Sequence, residues 1–166
     1  ALSDYVHSLG MKFGLHIAFS EAAPESPVLQ ENPEWASSER YWYFGAESLC
    51  LSHRPVREWI TSEIIRVIDE YGVDWILQDG ENMVKRCTRS GHTHSPQDWN
   101  YSNAVDGLNW VVQQVQKARP EVHWENCEDG GNMLTFNMLQ NYVTSITSDD
   151  SGPLVTRQAV HAMTYV

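Results

Sequence analysis

The sequence has 166 residues, of which 22 are Asp or Glu and 11 are Lys or Arg, for a formal net charge of −11. That balance excludes the clustered cations of a nucleic-acid binder and disfavours anionic membrane surfaces. With 42 % hydrophobic residues the chain is too apolar for disorder, yet no apolar run approaches the roughly 20 residues that cross a bilayer.

In chain order, a strand is expected over residues 12–19, introduced by Gly10 and interrupted by Gly14. A long polar loop over 21–43 follows. Residues 55–71 then place Trp59, Ile60, Ile64, Val67 and Ile68 at helical spacing, with Gly72 as the stop signal. A second strand over 73–77 runs into Gln78-Asp79-Gly80, and a second long polar loop covers 81–101. A helix over 103–119 ends at Pro120. A third strand covers 122–127, a short helix 133–140, and a fourth strand 143–147 that runs into Ser148-Asp149-Asp150. Another helix is expected from Pro153 onward. Alternating strands and helices imply a parallel α/β sheet with right-handed crossovers, without repeats or linkers.

Cys50, Cys87 and Cys127 cannot all pair within one chain, and their spacing fits neither a zinc ribbon nor a CxxC pair. Three reduced thiols in a cytoplasmic protein is the preferred reading, and one disulfide plus one free thiol the alternative. No signal peptide is visible. The sequence begins at Ala1 rather than Met, which fits a processed or excised piece with an upstream signal missing.

In a parallel α/β protein the site lies at the carboxyl ends of the strands. Here those ends carry Asp79, then Glu125-Asn126-Cys127 with Gly130-Gly131 just beyond, then Asp149 and Asp150. If the strands are neighbours in chain order, Asp79 and Asp149 flank the strand of Cys127 and face one crevice. Leaning side chains would bring the carboxyls within the roughly 5–9 Å that glycoside hydrolysis uses. An Asp after a strand, read alone, is most often a helix N-cap, and for Asp149 Pro153 stands where the following helix should begin. Two such positions together with Gly130-Gly131 shift the balance towards a site.

Five motifs then occur in order: Gly10-Met11-Lys12-Phe13-Gly14-Leu15, Arg54-Pro55-Val56-Arg57, Tyr71-Gly72-Val73-Asp74-Trp75, Cys127-Glu128-Asp129-Gly130-Gly131 and Thr147-Ser148-Asp149-Asp150. Together they resemble the melibiase-type α-galactosidases of glycoside hydrolase family 36 and their clan. The resemblance covers the middle of that family's (β/α)8 barrel, so residues 1–166 are expected to form one partial TIM-barrel domain equivalent to strands three to six. It implies a retaining glycosidase acting on α-galactosides, with Asp79 as nucleophile and Asp149 as general acid/base; Asp150 is the alternative acid/base and otherwise a substrate contact. It further implies that Cys127, Gly130 and Gly131 form a sugar-contacting turn. The chain departs from the family where Leu77-Gln78-Asp79 replaces Lys-Trp-Asp, where His16 replaces a Trp, and near Gly45, where an Arg is missing. His16 is expected to make a polar sugar contact in place of that Trp, or to be a structural histidine.

Trp35, Trp42, Trp99 and Tyr101 in the long loops have two readings, as sugar platforms or as anchors of the loops onto the barrel. Trp59 and Trp110 sit on apolar helix faces and read as core. Glu125 and Asp129 either bind hydroxyls or solvate a loop. His92 and His94 are expected to stay solvated, and neither a metal nor a cofactor is expected. A non-catalytic carbohydrate-binding half-barrel is the rival reading. An isomerase or aldolase is weaker, since no Lys ends a strand and no phosphate-cradling glycine loop is evident. A complete barrel takes about 250 residues and eight strands. Four open strands therefore imply either a cut from a larger enzyme or a homodimer of half-barrels, and the homodimer is the expectation.

Overall fold

The computed structural model describes residues 1–39, 45–80, 86–94, 101–131, 134–150 and 152–157. Helix α1 (Leu2–Ser8) leads into strand β1 (Gly14–Ala18). The following segment carries β2 (Glu21–Ala22), α2 (Pro27–Glu31), a 3₁₀ turn (Pro33–Trp35) and β3 (Glu47–Ser48). Then come α3 (Arg54–Tyr71), β4 (Trp75–Asp79), α4 (Tyr101–Ala118), β5 (His123–Asn126), α5 (Glu128–Gly131), α6 (Phe136–Leu139) and β6 (Thr144–Ser145). Residues 153–157 are helical again.

Strands β1, β4, β5 and β6 form one parallel sheet in that order, with Ala18 beside Asp79, Gln78 beside Asn126, and Asn126 beside Ser145. This is the chain-order sheet of a partial (β/α) barrel. Strands β1, β5 and β6 are shorter than expected, and β4 keeps its five residues but starts two positions later, with Val73 and Val122 entering the core before strand pairing begins. Helix α3 starts at Arg54 with Pro55 in its first turn and ends where Gly72, at φ 63°, turns left-handed and returns its amide to Ile68. Its buried face is Val56, Ile60, Ile64 and Ile68, at strict i, i+4 spacing. It packs against α4, which buries Val105, Leu108, Val111, Val112 and Val115.

The two faces of the sheet differ. Leu15, Ile17, Ile76, Gln78, Trp124 and Asn126 face the helices, and most of them join the core. The alternate residues, His16, Leu77, Asp79 and Glu125 among them, lie on the other face, which no described element covers. The polar loop expected over 21–43 is corrected. Its described part is built structure, in which β2 pairs antiparallel with β3 and Leu29 and Ala36 enter the core with Leu49 and Leu51. Trp59 and Trp110, expected in the core, are half-buried and pack against its rim. Arg57 lies 5.1 Å over the Trp110 ring, a contact that keeps this ring at the surface of the helix pair.

Candidate active site at the carboxyl ends of the strands

Asp79 ends β4 with both oxygens engaged. Its Oδ1 accepts the Gly80 amide at 3.0 Å, and its Oδ2 lies 3.1 Å from Nε2 of His16 on the neighbouring strand. Register explains the second contact: Ala18 stands beside Asp79, so His16 and Asp79 share the uncovered face. Leu77 lies on that same face, and Gln78 is buried toward the helices, where Tyr142 donates a hydrogen bond to its Oε1.

Cys127 follows β5, its amide bonded to the Gln78 carbonyl, and its Sγ lies 4.0 Å from Oδ1 of Asp149. Burial pushes its thiol up to about 11, and the carboxylates of Asp79 and Asp149 push the same way against the opposing Gly130 amide. At neutral pH Cys127 is therefore a neutral S–H between two acids. The glycines after it are dictated by contact. At Gly130, with φ +63°, a Cβ would lie 2.6 Å from the Asp149 carboxyl carbon; at Gly131, with φ +89°, one would lie 2.7 Å from the Thr147 carbonyl. Only glycine allows this turn to lie against the Asp149 loop. Thus Asp79, Cys127, Gly130, Gly131 and Asp149 come together, with His16 at the edge. Asp150 is engaged locally: its Oδ1 accepts the Gly152 amide at 2.7 Å, an Asx turn just before the 153–157 helix.

Trp35 packs on Trp59 with ring centroids 5.8 Å apart, so it anchors its loop to α3. Trp42 and Trp99 lie outside the described residues, as do the side chains of Tyr101 and Asp129. Glu125 accepts a bond from the Trp75 indole N–H at 3.0 Å across the uncovered face.

The loop histidines are corrected. His92 and His94 are half-buried rather than solvated, because the 86–94 segment folds back onto residues 34–39 and 52–54. There they meet Cys50 and Cys87, both buried, and one ligand atom from each of the four residues lies within 4.8 Å of the others. The contact with Cys87, and burial after it, raise the Cys50 thiol, whereas the contacts with Cys50 and His92 lower the Cys87 thiol. The three cysteines are free. The convergence was hidden in the sequence because Cys50 is 37 positions before Cys87 and on another loop (87 − 50 = 37). The one local signal was Cys87 followed by two histidines within seven residues.

The Melibiase family model matches residues 1–166. The chain belongs to that family. It is 27 % identical over 157 residues to Alpha-galactosidase 2 of Pediococcus pentosaceus, covering 88 % of this chain and 21 % of that protein. Alpha-galactosidase Mel36A of Lactobacillus acidophilus is 25 % identical over 164 residues, covering 93 % of this chain and 22 % of that protein. The chain thus spans about a fifth of the length of these relatives. Among solved structures, the GH36 α-galactosidase AgaB of Geobacillus stearothermophilus superposes with a TM-score of 0.85 at 22 % identity, over 97 % of this chain and 23 % of that one. A variant of AgaA from the same organism, solved in complex with raffinose, gives 0.78 at 23 % identity with the same coverage. The superpositions bear out the partial barrel. Among the described residues no helix is long and apolar enough to cross a membrane.

Proposed function

We propose that this chain carries the catalytic carboxylates of a retaining glycosidase for α-galactosides. The observation that carries the reading is the placement of Asp79 and Asp149 on either side of the Cys127 thiol, at the carboxyl ends of parallel strands. Ionised Asp79 attacks the anomeric carbon while Asp149 protonates the leaving oxygen. A glycosyl ester on Asp79 forms, and Asp149, now a base, activates the water that releases it. The Gly130-Gly131 turn and Cys127 hold Asp149 in place and contact the sugar, and His16 positions Asp79 and offers a polar contact. Asp150 sits beside the sugar subsite and braces the Asp149 loop through Gly152. Three free thiols fit a cytoplasmic setting. The uncovered inner face calls for further strands, which for this chain by itself a second copy supplies.

Release of phenol from an aryl α-galactoside tests the reading. Asp79→Asn is expected to abolish turnover. Asp149→Asn should cost least with good leaving groups and about 100-fold or more with poor ones, since general acid catalysis contributes about 10²–10⁴. Wild-type turnover in both variants would overturn the pair. One observation favours a second reading, a non-catalytic sugar-binding module: Leu77, apolar, stands on the inner face one turn of the pleat before Asp79. Saturable galactoside binding without turnover in the wild type would select it.

A further inference from the structure

We propose that Cys50, Cys87, His92 and His94 form a closed tetrahedral site for a zinc-class divalent cation, which fastens together the two long loops that follow β1 and β4. The distances come within about 0.2 Å of the edges of such a site. His94 Nε2 lies 3.3 Å from Cys50 Sγ and 3.1 Å from His92 Nδ1, and Cys87 Sγ lies 3.4 Å from His92 Nδ1. Zn–S bonds of about 2.3 Å and Zn–N bonds of about 2.0–2.1 Å give tetrahedral edges of about 3.3–3.8 Å. Two sulfurs and two imidazole nitrogens select zinc over calcium or magnesium, which take oxygen ligands. Four protein ligands leave no open position for substrate or water, so the role is structural.

The surroundings orient the donors. His92 donates its Nε2–H to the Glu34 carbonyl at 2.7 Å, which leaves the Nδ1 lone pair aimed at Cys87 and His94. Its ring stacks on His53, with centroids 4.2 Å apart and planes 16° from parallel. His53 Nδ1 accepts the Thr93 amide at 3.1 Å, and Thr93 Oγ1 accepts the Arg54 amide at 2.8 Å. Cys50 is held by its amide on the Trp35 carbonyl. Lone pairs brought this close repel one another unless a cation or protons lie between them. On binding, each thiol gives its proton to solvent as its metal–sulfur bond forms. Two thiolates then neutralise the dication, and both imidazoles bind neutral.

The consequence is mechanical. Cys50 belongs to the segment after β1, and Cys87, His92 and His94 to the segment after β4. The ion would join the two segments that leave the carboxyl ends of β1 and β4. This reverses the expectation of a metal-free loop.

The test is metal analysis of the 166-residue chain after zinc loading and dialysis, with cobalt(II) as a spectroscopic probe. One zinc per chain is expected, and a cobalt form with a thiolate-to-cobalt band and intense tetrahedral d–d bands. Thiol titration should find Cys50 and Cys87 protected with zinc bound, and two further thiols reacting after chelation. Cys87→Ser should weaken zinc binding by more than the roughly 10–100-fold that outer-shell changes cost, and Cys127→Ser should leave it unchanged. If Cys87→Ser does not fold, His92→Gln and the wild-type cobalt spectrum decide the matter. Substoichiometric zinc, a cobalt spectrum without the sulfur band, equal binding by Cys87→Ser, or a Cys50–Cys87 disulfide in the intact mass would each overturn the proposal.

Discussion

A single methyl group at Gly130 would collide with the Asp149 carboxyl at 2.6 Å and force a left-handed backbone on a residue with a Cβ. Gly130→Ala should therefore act twice. It is expected to lower stability by about 1–2 kcal/mol, the cost of that backbone conformation, as read by denaturant unfolding. On the proposed mechanism it should also lower galactoside turnover by about 100-fold, the effect of moving a catalytic group by about 1 Å. Normal turnover would separate Asp149 from the chemistry. Asp74 supplies the pH dependence. Burial alone would push its carboxyl up, but the Phe13 amide, His7 and Lys12 outweigh that and hold it at about 2, against an ordinary 3.8. A carboxyl whose folded value lies below its unfolded value stabilises fully above the unfolded value and loses that contribution as pH falls toward the folded one. Because its side chain is 23 % exposed, the contribution is about 1–2 kcal/mol after screening. Unfolding measured from pH 6 down to pH 2 should show Asp74→Asn less stable at the upper end and converging on the wild type at the lower. A constant gap across that range would remove Asp74 from the account.

Helix α4 makes its closest approach through Gly107, where a Cβ would lie 2.2 Å from the Leu51 carbonyl oxygen and 2.7 Å from its carbon. Helix propensity favours Ala over Gly by about 1 kcal/mol, but backbone cannot yield as a flexible side chain does, and overpacking costs about 1–3 kcal/mol. Gly107→Ala is therefore expected to destabilise on balance, and a raised midpoint in thermal unfolding would show that α4 has room to shift. Such a close approach has no signal in the sequence. The long helices α3 and α4 were legible because five apolar positions at helical spacing admit one reading, and the sheet followed from them by alternation. The carboxyl-end acids were legible for the same reason: a parallel sheet gathers its strand ends. The β2–β3 pair was not, since two-residue strands have no period to detect. Neither was the Cys50–Cys87–His92–His94 cluster, which depends on how two loops fold over one another. His16 is open between two roles in the sequence, and the register adds that it shares the face of Asp79.

The sheet is finished on one side and open on the other, and its two ends share a surface character. Before the edge strand β1, Leu2, Tyr5, Leu9 and Met11 are exposed; near the opposite edge strand β6, Phe136, Val143 and Leu154 are exposed, the last at 76 %. Edge strands with unpaired backbone and flanking apolar surface drive association unless something covers them. Opposing this is a net charge of −11 on each chain, which two copies would bring together. Apolar burial is insensitive to moderate salt, whereas repulsion between like-charged surfaces is screened beyond about 10 Å at 0.1 M ionic strength and about 3 Å at 1 M. Association of this chain should therefore strengthen as salt rises. Sedimentation velocity at micromolar concentration is expected to show a dimer whose dissociation constant falls between 0.05 and 0.5 M sodium chloride. Leu2→Glu together with Tyr5→Glu should return it to monomer. A monomer at every salt concentration would mean that the open face is not closed by a second copy, and the missing inner strands would then have to come from elsewhere in a longer barrel.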